Sequence, residues 1–507
     1  AIIALIAVLK AGCTFVPLDP DAPSKRNDAI LADCGACLLI TQDPGQTSLP
    51  HLQPLRDERA IAPVVAGSQN TSDPLAYILY TSGSTGAPKG VLVHQQALAD
   101  MVRIWGQELC LGPENSFLQM ANFNFDVAIA DVLRALCFGG ALVLCPKETL
   151  SDPRALSDLI RRQEVNSGDF VPAVLDALTA SETLANEALS GFRLLLCGSD
   201  RWPLENAQRL LKLLPPNCRA LHAYGLTETI VDALYFDLRS LASDATALPL
   251  GQALPGGSVT LVDQERQPVP LGQEGEICIS GPCLAQGYLK ASAQEQGRFT
   301  RLANGQPALM TGDLGVMTAK GEILFHGRAD SQISLRGYRI EPGDIESRLV
   351  AHGAGQATVC LKEGQLVAYV TGIRAEGLRP LLLQELAPHM VPQAIVELDQ
   401  LPLTANGKID HDNLPAPERT SAFEPPLGPI EAAIAQVWQD LLQTPAIGRN
   451  DNFFELGGHS MLAVRMGLEL ARILERDIDS SLVFAHPTLA GFAHHCGETQ
   501  LQAPALK

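Results

Sequence analysis

The sequence predicts an α/β body followed by a smaller α+β unit and a terminal helical bundle. Three observations carry this. At 507 residues the chain exceeds what one hydrophobic core organises. Up to about Asp330, short apolar runs such as Tyr77 to Tyr80, Ala141 to Cys145 and Arg193 to Cys197 alternate with helical stretches. Beyond a proline-rich segment, the strand signals give way to helix-period apolar faces.

Taken in order, residues 1–330 read as the large α/β piece, with glycines punctuating the joins between strands and helices. The apolar opening Ala1 to Leu9 is too short to span a bilayer and lacks the basic start of a signal peptide, so it reads as a buried helix. After Gly327-Arg328-Ala329-Asp330, residues 331–415 restart with short strand signals and an amphipathic stretch near Pro342 to Leu349, giving a small α+β unit. Leu414 to Pro429 holds five prolines, which makes 416–428 an extended, semi-rigid linker. In 429–500, Ile430 to Leu442 and Ser460 to Glu475 carry apolar faces at helical spacing, as a small bundle requires.

Composition excludes several classes. A hydrophobic share of 46% with 18% charged residues is that of a folded globular chain. A net charge of −19 without any basic run argues against nucleic acid, and no segment predicts membrane insertion. Twelve scattered cysteines, of which only Cys34 and Cys37 form a C-x-x-C pair, predict thiols in a reducing, cytoplasmic compartment.

Tyr80-Thr-Ser-Gly-Ser-Thr-Gly-Ala-Pro-Lys-Gly90 follows a strand-like run. Its glycines let backbone N–H groups approach an anion, its hydroxyls add donors and Lys89 adds charge, which suits a triphosphate. The spacing departs from the Walker pattern, with two residues between the glycines and Gly90 in place of the magnesium-binding hydroxyl. The string resembles the phosphate loop of the adenylate-forming superfamily of acyl-CoA synthetases, luciferases and peptide-synthetase adenylation domains. The resemblance continues collinearly through Leu9 to Asp19, Ala223-Tyr-Gly-Leu-Thr-Glu-Thr229, Thr311-Gly-Asp-Leu314, Gly327-Arg-Ala-Asp-Ser-Gln332, Arg336-Gly-Tyr-Arg339 and Asn406-Gly-Lys408. Leu226, His222 and Leu309-Met310 depart from the usual pattern and leave the charged positions intact. Leu9 to Asp19 normally lies well inside the domain, so a truncated N-terminus is expected.

Asp451-Asn-Phe-Phe-Glu-Leu-Gly-Gly-His-Ser460-Met-Leu resembles the attachment site of peptidyl carrier domains, where Ser460 takes 4'-phosphopantetheine. Phe484-Ala-His-Pro-Thr-Leu489 resembles the start of such a domain's last helix. Together the resemblances imply a nonribosomal peptide synthetase module: a large adenylation subdomain (1–330), a small one (331–415), a linker (416–428) and an all-α four-helix carrier (429–500).

The resemblance also implies roles. Thr81, Ser82, Gly83, Ser84, Thr85, Gly86 and Lys89 hold phosphates, Tyr224 stacks on adenine, and Asp313 and Arg328 grip the ribose. Thr227 and Glu228 meet the phosphates and Mg²⁺, and Lys408 neutralises the charge developing as ATP is attacked. Asp330 is the hinge and Gly337 lines the pantetheine tunnel. Asp126 holds an α-ammonium group, while Val127, Ala130, Asp169, Leu195, Cys197, Ala223, Val231 and Asp232 line the side-chain pocket. Two unpaired carboxylates there are costly to bury without a cation, which points to a basic amino acid, arginine before lysine or ornithine. Expected partners are that amino acid, a phosphopantetheinyl transferase, neighbouring domains such as condensation, and an MbtH-like activator where one is used. The product is a peptide natural product or siderophore. Two alternatives stay open: a free-standing acyl-CoA ligase, against which Ser460 argues, and a catalytically silent assembly module, against which intact Lys89, Glu228, Asp313 and Lys408 argue.

Overall fold

The structure is a computed structural model. It describes the chain apart from residues 42–48, 53–73, 82–87, 336–337, 403–408, 418–422, 475–477, 479–481 and 499–507 and the single positions 151, 303, 331, 363, 412, 443, 445, 455, 457 and 459. Two compact units divide it: Ala1–Pro146 with Pro153–Glu341, and Lys147–Asp152 with Pro342–Lys507.

In the first unit, a 12-stranded sheet changes character midway. The strands Ala141–Leu144, Ser116–Gln119, Ser167–Phe170, Leu194–Cys197 and Arg219–Tyr224 pair in parallel in that order. Leu234–Asp237 then pairs antiparallel to Arg219–Tyr224, and the sheet continues antiparallel to Pro307–Met317 and its neighbours. Leu194–Cys197 is buried at all four positions, the near-continuous apolar run expected of a strand covered on both faces. Beside this sheet, Leu75–Thr81 and Lys89–His94 form an antiparallel pair, so the phosphate-loop string runs from the end of one strand into the start of the other. Trp105, Tyr77 and Phe117 lie fully buried in the core, each contributing roughly 1.5–3 kcal/mol.

The opening helix Ile2–Lys10 corrects the expectation of a buried one, for Leu5 is buried while Ile3 is 85% exposed. Only one face of this short helix meets the core, although its sequence is apolar all round. The hairpin Ile333–Leu335 with Tyr338–Ile340 groups with the first unit, so the division falls at Glu341/Pro342, past Asp330.

In the second unit, the helix Pro342–Ala351 precedes a three-stranded sheet of Gln356–Lys362, Gln365–Thr371 and Ala394–Leu398. Val367, Tyr369, Ala394, Leu401 and Leu414 form its core, and Tyr369 donates its hydroxyl to the Pro415 carbonyl at 2.6 Å, anchoring the start of the proline-rich segment. The helices Gly428–Leu442, Ser460–Leu474, Leu482–Ala485 and Leu489–Glu498 surround a separate core of Trp438, Phe453, Met466 and Phe492. Ser460 is the first residue of its helix, as the sequence predicts.

Candidate functional site

Among the described residues, the first unit gathers the charged side chains singled out in the sequence into one polar network. Tyr224, at the end of its parallel strand, donates its hydroxyl to Asp313 Oδ2 at 2.5 Å. Arg328 Nη1 donates to Asp313 Oδ1 at 2.5 Å, because Asp313 and Arg328 are cross-strand partners in register. Arg328 also donates to Gln332, which bonds Glu341, and Glu341 lies 3.8 Å from Lys89 Nζ. Arg339 ties in Glu228 at 3.2 Å. Lys89, Tyr224, Asp313, Arg328 and Glu228 thus belong to one connected site. Ser82, Gly83, Ser84, Thr85, Gly86, Gly337 and Lys408 lie outside the described residues, and Thr81 ends the strand leading into the phosphate loop.

Two glycines are fixed by this packing. A Cβ at Gly225 would lie 1.8 Å from the Val231 carbonyl, so the chain can pass here only beside a glycine. Gly312 has φ +77°, and a Cβ there would meet Arg328 Nη2 at 2.7 Å and Asp330 Oδ2 at 2.8 Å. Ile230 and Val231 adopt φ 50° and 75°, a region branched side chains rarely enter, beside the pocket position Asp232.

Glu228 is buried, which by itself raises a carboxyl pKa. The Arg339 and Arg298 guanidiniums and the Tyr288 hydroxyl outweigh burial and hold it at about 2. Asp313 is pushed upward by burial, against the opposing pull of Arg328. Gln332 and Arg339 stand in strings that carry the resemblance but had no role assigned to them, while Arg298, Tyr288 and Glu341 were not singled out as site residues. An ionised carboxylate suits a hard divalent cation, and a tyrosine beside a carboxylate and a guanidinium suits a nucleoside. The residues present therefore fit a magnesium nucleotide. His222, a departure from the family pattern, bonds the Pro249 carbonyl through Nδ1 at 2.7 Å, and burial lowers its pKa.

The substrate-pocket positions cluster on neighbouring elements. Asp126, Val127 and Ala130 lie on the helix Asp126–Leu136. Asp169, Leu195 and Cys197, and Ala223 lie on consecutive parallel strands, and Val231 and Asp232 follow in the next loop. Ligand sites of parallel α/β sheets form beyond such strand ends. Burial raises the Asp126 pKa to about 6, against hydrogen bonds from Thr227 and the Val127 N–H.

Here one expectation is corrected. Asp169 and Asp232 are not unpaired: Arg134, with no exposed surface, donates to Asp169 Oδ2 at 2.8 Å and to Asp232 Oδ2. Trp105 Nε1 and the Tyr235 hydroxyl also donate to Asp232 Oδ2, at 2.8 and 2.6 Å. The signal was present in the sequence. Arg134 follows Ala130 by four residues on a helix that is apolar apart from Asp126, Asp131 and Arg134 itself, so it shares the buried face and needs a counter-ion.

A cavity of about 860 Å³ lies elsewhere, between Gln96, Asp100, Phe299 and Arg301, and holds none of these residues. Among the described residues, no group of three potential ligands gathers to hold a metal by itself, and no helix is long and apolar enough to cross a membrane.

Comparisons with known proteins agree with this geometry. The AMP-binding enzyme family matches residues 1–289, and the phosphopantetheine attachment site family matches residues 432–496. Tyrocidine synthase 3 of Brevibacillus parabrevis is 37% identical over 98% of this chain, and the dimodular nonribosomal peptide synthase of Bacillus subtilis is 34% identical over 99%. The chain spans only 8% of the former and 22% of the latter. A solved structure of holo-PA1221, a synthetase protein containing adenylation and PCP domains, superposes with a TM-score of 0.80 at 27% identity, over 97% of this chain and 85% of that one. The four-domain synthetase holo-AB3403, solved with AMP and glycine, matches all of this chain and 38% of its own, at 30% identity and a TM-score of 0.57. ATP with Mg²⁺ is the cofactor pair of the first family, and 4'-phosphopantetheine is the prosthetic group of the second.

Proposed function

Since the chain belongs to the AMP-binding enzymes and is an adenylation and carrier module of the nonribosomal peptide synthetase kind, an ATP-dependent ligase activating an amino acid, we propose that this amino acid has a cationic side chain, arginine before lysine or ornithine. One observation carries the reading: Asp131, Asp169 and Asp232 are brought together around the single guanidinium of Arg134. Carboxylates outnumber internal cations, and an excess of buried negative charge favours a cationic ligand. Asp169 and Asp232 each give Arg134 their Oδ2, so the fork of a substrate guanidinium suits their second oxygens better than a point charge does.

In the first half-reaction, the substrate carboxylate attacks the α-phosphorus of ATP, the α–β anhydride breaks, and pyrophosphate leaves. Asp126 holds the α-ammonium group, and Lys408 holds the carboxylate and offsets charge developing at phosphorus. Tyr224 stacks on adenine, Asp313 and Arg328 hold the ribose, and Thr81 to Gly86 with Lys89 cradle the phosphates. Thr227 and Glu228 face the phosphates, and Glu228 would hold Mg²⁺, whose charge would screen them. In the second half-reaction, the small subdomain turns about Asp330 and Gly337 leaves room for the arm on Ser460, whose thiol attacks the acyl-adenylate carbonyl; the thioester forms as the acyl–phosphate bond breaks and AMP leaves. The linker 416–428 keeps the carrier at high local concentration. The domain limits 1–330, 331–415 and 429–500 follow this division of labour. A phosphopantetheinyl transferase, neighbouring condensation domains and an MbtH-like activator are the partners this role calls for, in the synthesis of a peptide or siderophore.

Mass spectrometry tests both halves together. Treatment with a phosphopantetheinyl transferase adds the arm to the wild type and not to S460A; MgATP with arginine then adds one arginyl group. An unmodified Ser460, or an arm that stays unloaded with every basic amino acid, contradicts the proposal.

A further inference from the structure

The helix Asp126–Leu136 is buried along nearly its whole length and presents Asp131 and Arg134 to the protein interior rather than to water. Arg134 meets Asp169 from one strand and Asp232 from the loop after another, and its guanidinium carbon sits 4.7 Å from the centre of the Trp105 ring. One buried side chain thus spans three elements. Asp131 lies 3.9 Å from Arg134 Nη1, yet both its oxygens lack a hydrogen-bond partner. None of the roles described above uses Arg134 or Asp131.

We infer that Arg134 is a specificity-determining positioning residue: its guanidinium fixes Asp169 and Asp232 and offsets part of their charge, so that the pocket takes up a single cationic side chain. The inference deepens the proposal of a basic substrate and rests on it. Burial and the neighbouring carboxylates raise the pKa of Asp131, which lessens its share of the cluster's negative charge. Asp169 and Asp232, the two carboxylates hydrogen-bonded to Arg134, face one internal guanidinium, so they outnumber their cation by one. A lysine at position 134 supplies the charge without the fork, so it holds one carboxylate and releases the other. A residue without charge at 134 leaves both carboxylates to be neutralised by protons, and basic amino acids lose their partner.

The test is amino-acid-dependent ATP–pyrophosphate exchange on the full chain, for the wild type, R134K and R134A across pH. In R134A, KM for arginine is expected to rise ~10- to 100-fold with KM for MgATP unchanged. In R134K the rise is smaller, and selectivity over leucine narrows. The acid limb of the arginine pH profile moves to higher pH in R134A, because carboxylates without their guanidinium give up protons less readily. Millimolar guanidinium ion restores the arginine KM of R134A and does nothing for the wild type, a result that a merely structural role does not produce. If R134A does not fold, R134K carries the test through its KM ratio. A folded variant that keeps the wild-type KM, selectivity and pH profile overturns the inference. The basic-substrate proposal fails separately, if the wild type activates leucine or phenylalanine but no basic amino acid; the role of Arg134 is then judged by the same variants on the amino acid accepted.

Discussion

Glu228 in the proposed nucleotide site and the Asp131–Asp169–Asp232 group in the proposed substrate pocket are built from the same parts, buried carboxylates beside guanidiniums. The proportions are opposite. Two guanidiniums and a tyrosine surround one carboxylate at Glu228, and its pKa falls to about 2 despite burial. One guanidinium serves three carboxylates in the pocket, and burial raises the pKa of Asp131 and Asp169. The ratio of cations to carboxylates, more than burial itself, sets the direction in which a buried carboxyl's pKa moves.

The largest effect should come from removing the ionised member. E228Q is expected to lower kcat for pyrophosphate exchange by ~100- to 1000-fold, since it leaves Arg298 and Arg339 without their anion and the metal without its ligand. Exchange kinetics check this, and loss confined to the amino-acid KM would contradict it.

Next is Asp126. D126N is expected to raise KM for the amino acid ~100-fold while KM for MgATP stays near its original value. In the wild type, Asp126 must be ionised to hold an ammonium group, and its pKa of about 6 sets the limit. The amino-acid KM should therefore climb as pH falls below about 6, and a profile flat down to pH 5 would break the assignment.

A smaller effect separates the two regions by the sign of their pH dependence. Glu228 has a depressed pKa, so its contribution to stability is present above the ordinary carboxylate range and is lost as pH falls toward about 2. Asp131 has a raised pKa, so it binds its proton more tightly when folded, and stability falls as pH rises past the ordinary carboxylate range. D131N removes that penalty and should stabilise the protein by ~1 kcal/mol at neutral pH, with the gain vanishing in acid. Thermal unfolding at two pH values reads the difference.

The smallest effect is expected at Tyr224, where Y224F keeps the ring and loses only the hydrogen bond to Asp313; KM for MgATP should rise ~3-fold.

The two regions also differ in how far the sequence exposes them. Lys89, Tyr224, Glu228, Asp313 and Arg328 stand in short strings whose spacing places them, because strand register and tight turns fix local geometry. The parallel strands Ala141–Leu144 and Leu194–Cys197 and the carrier helices were equally legible, from apolar runs and helical period. Arg134 has a legible signal in its helical spacing from Ala130, but its partners lie far along the chain on a strand and a loop, and only tertiary packing identifies them as Asp169 and Asp232. Arg298 and Tyr288 around Glu228 escaped for the same reason, whereas Arg339 stood in a legible string and only its contact with Glu228 was hidden. The opening helix Ile2–Lys10 erred the other way, since its apolar composition could not show which face meets the core.

Pyrophosphate exchange measured across the proteinogenic amino acids and ornithine bears most directly on the account. Exchange driven by arginine, more weakly by lysine and ornithine, and at background level by leucine, phenylalanine and glutamate is the predicted pattern. Robust exchange with an apolar or acidic amino acid and none with arginine would contradict it.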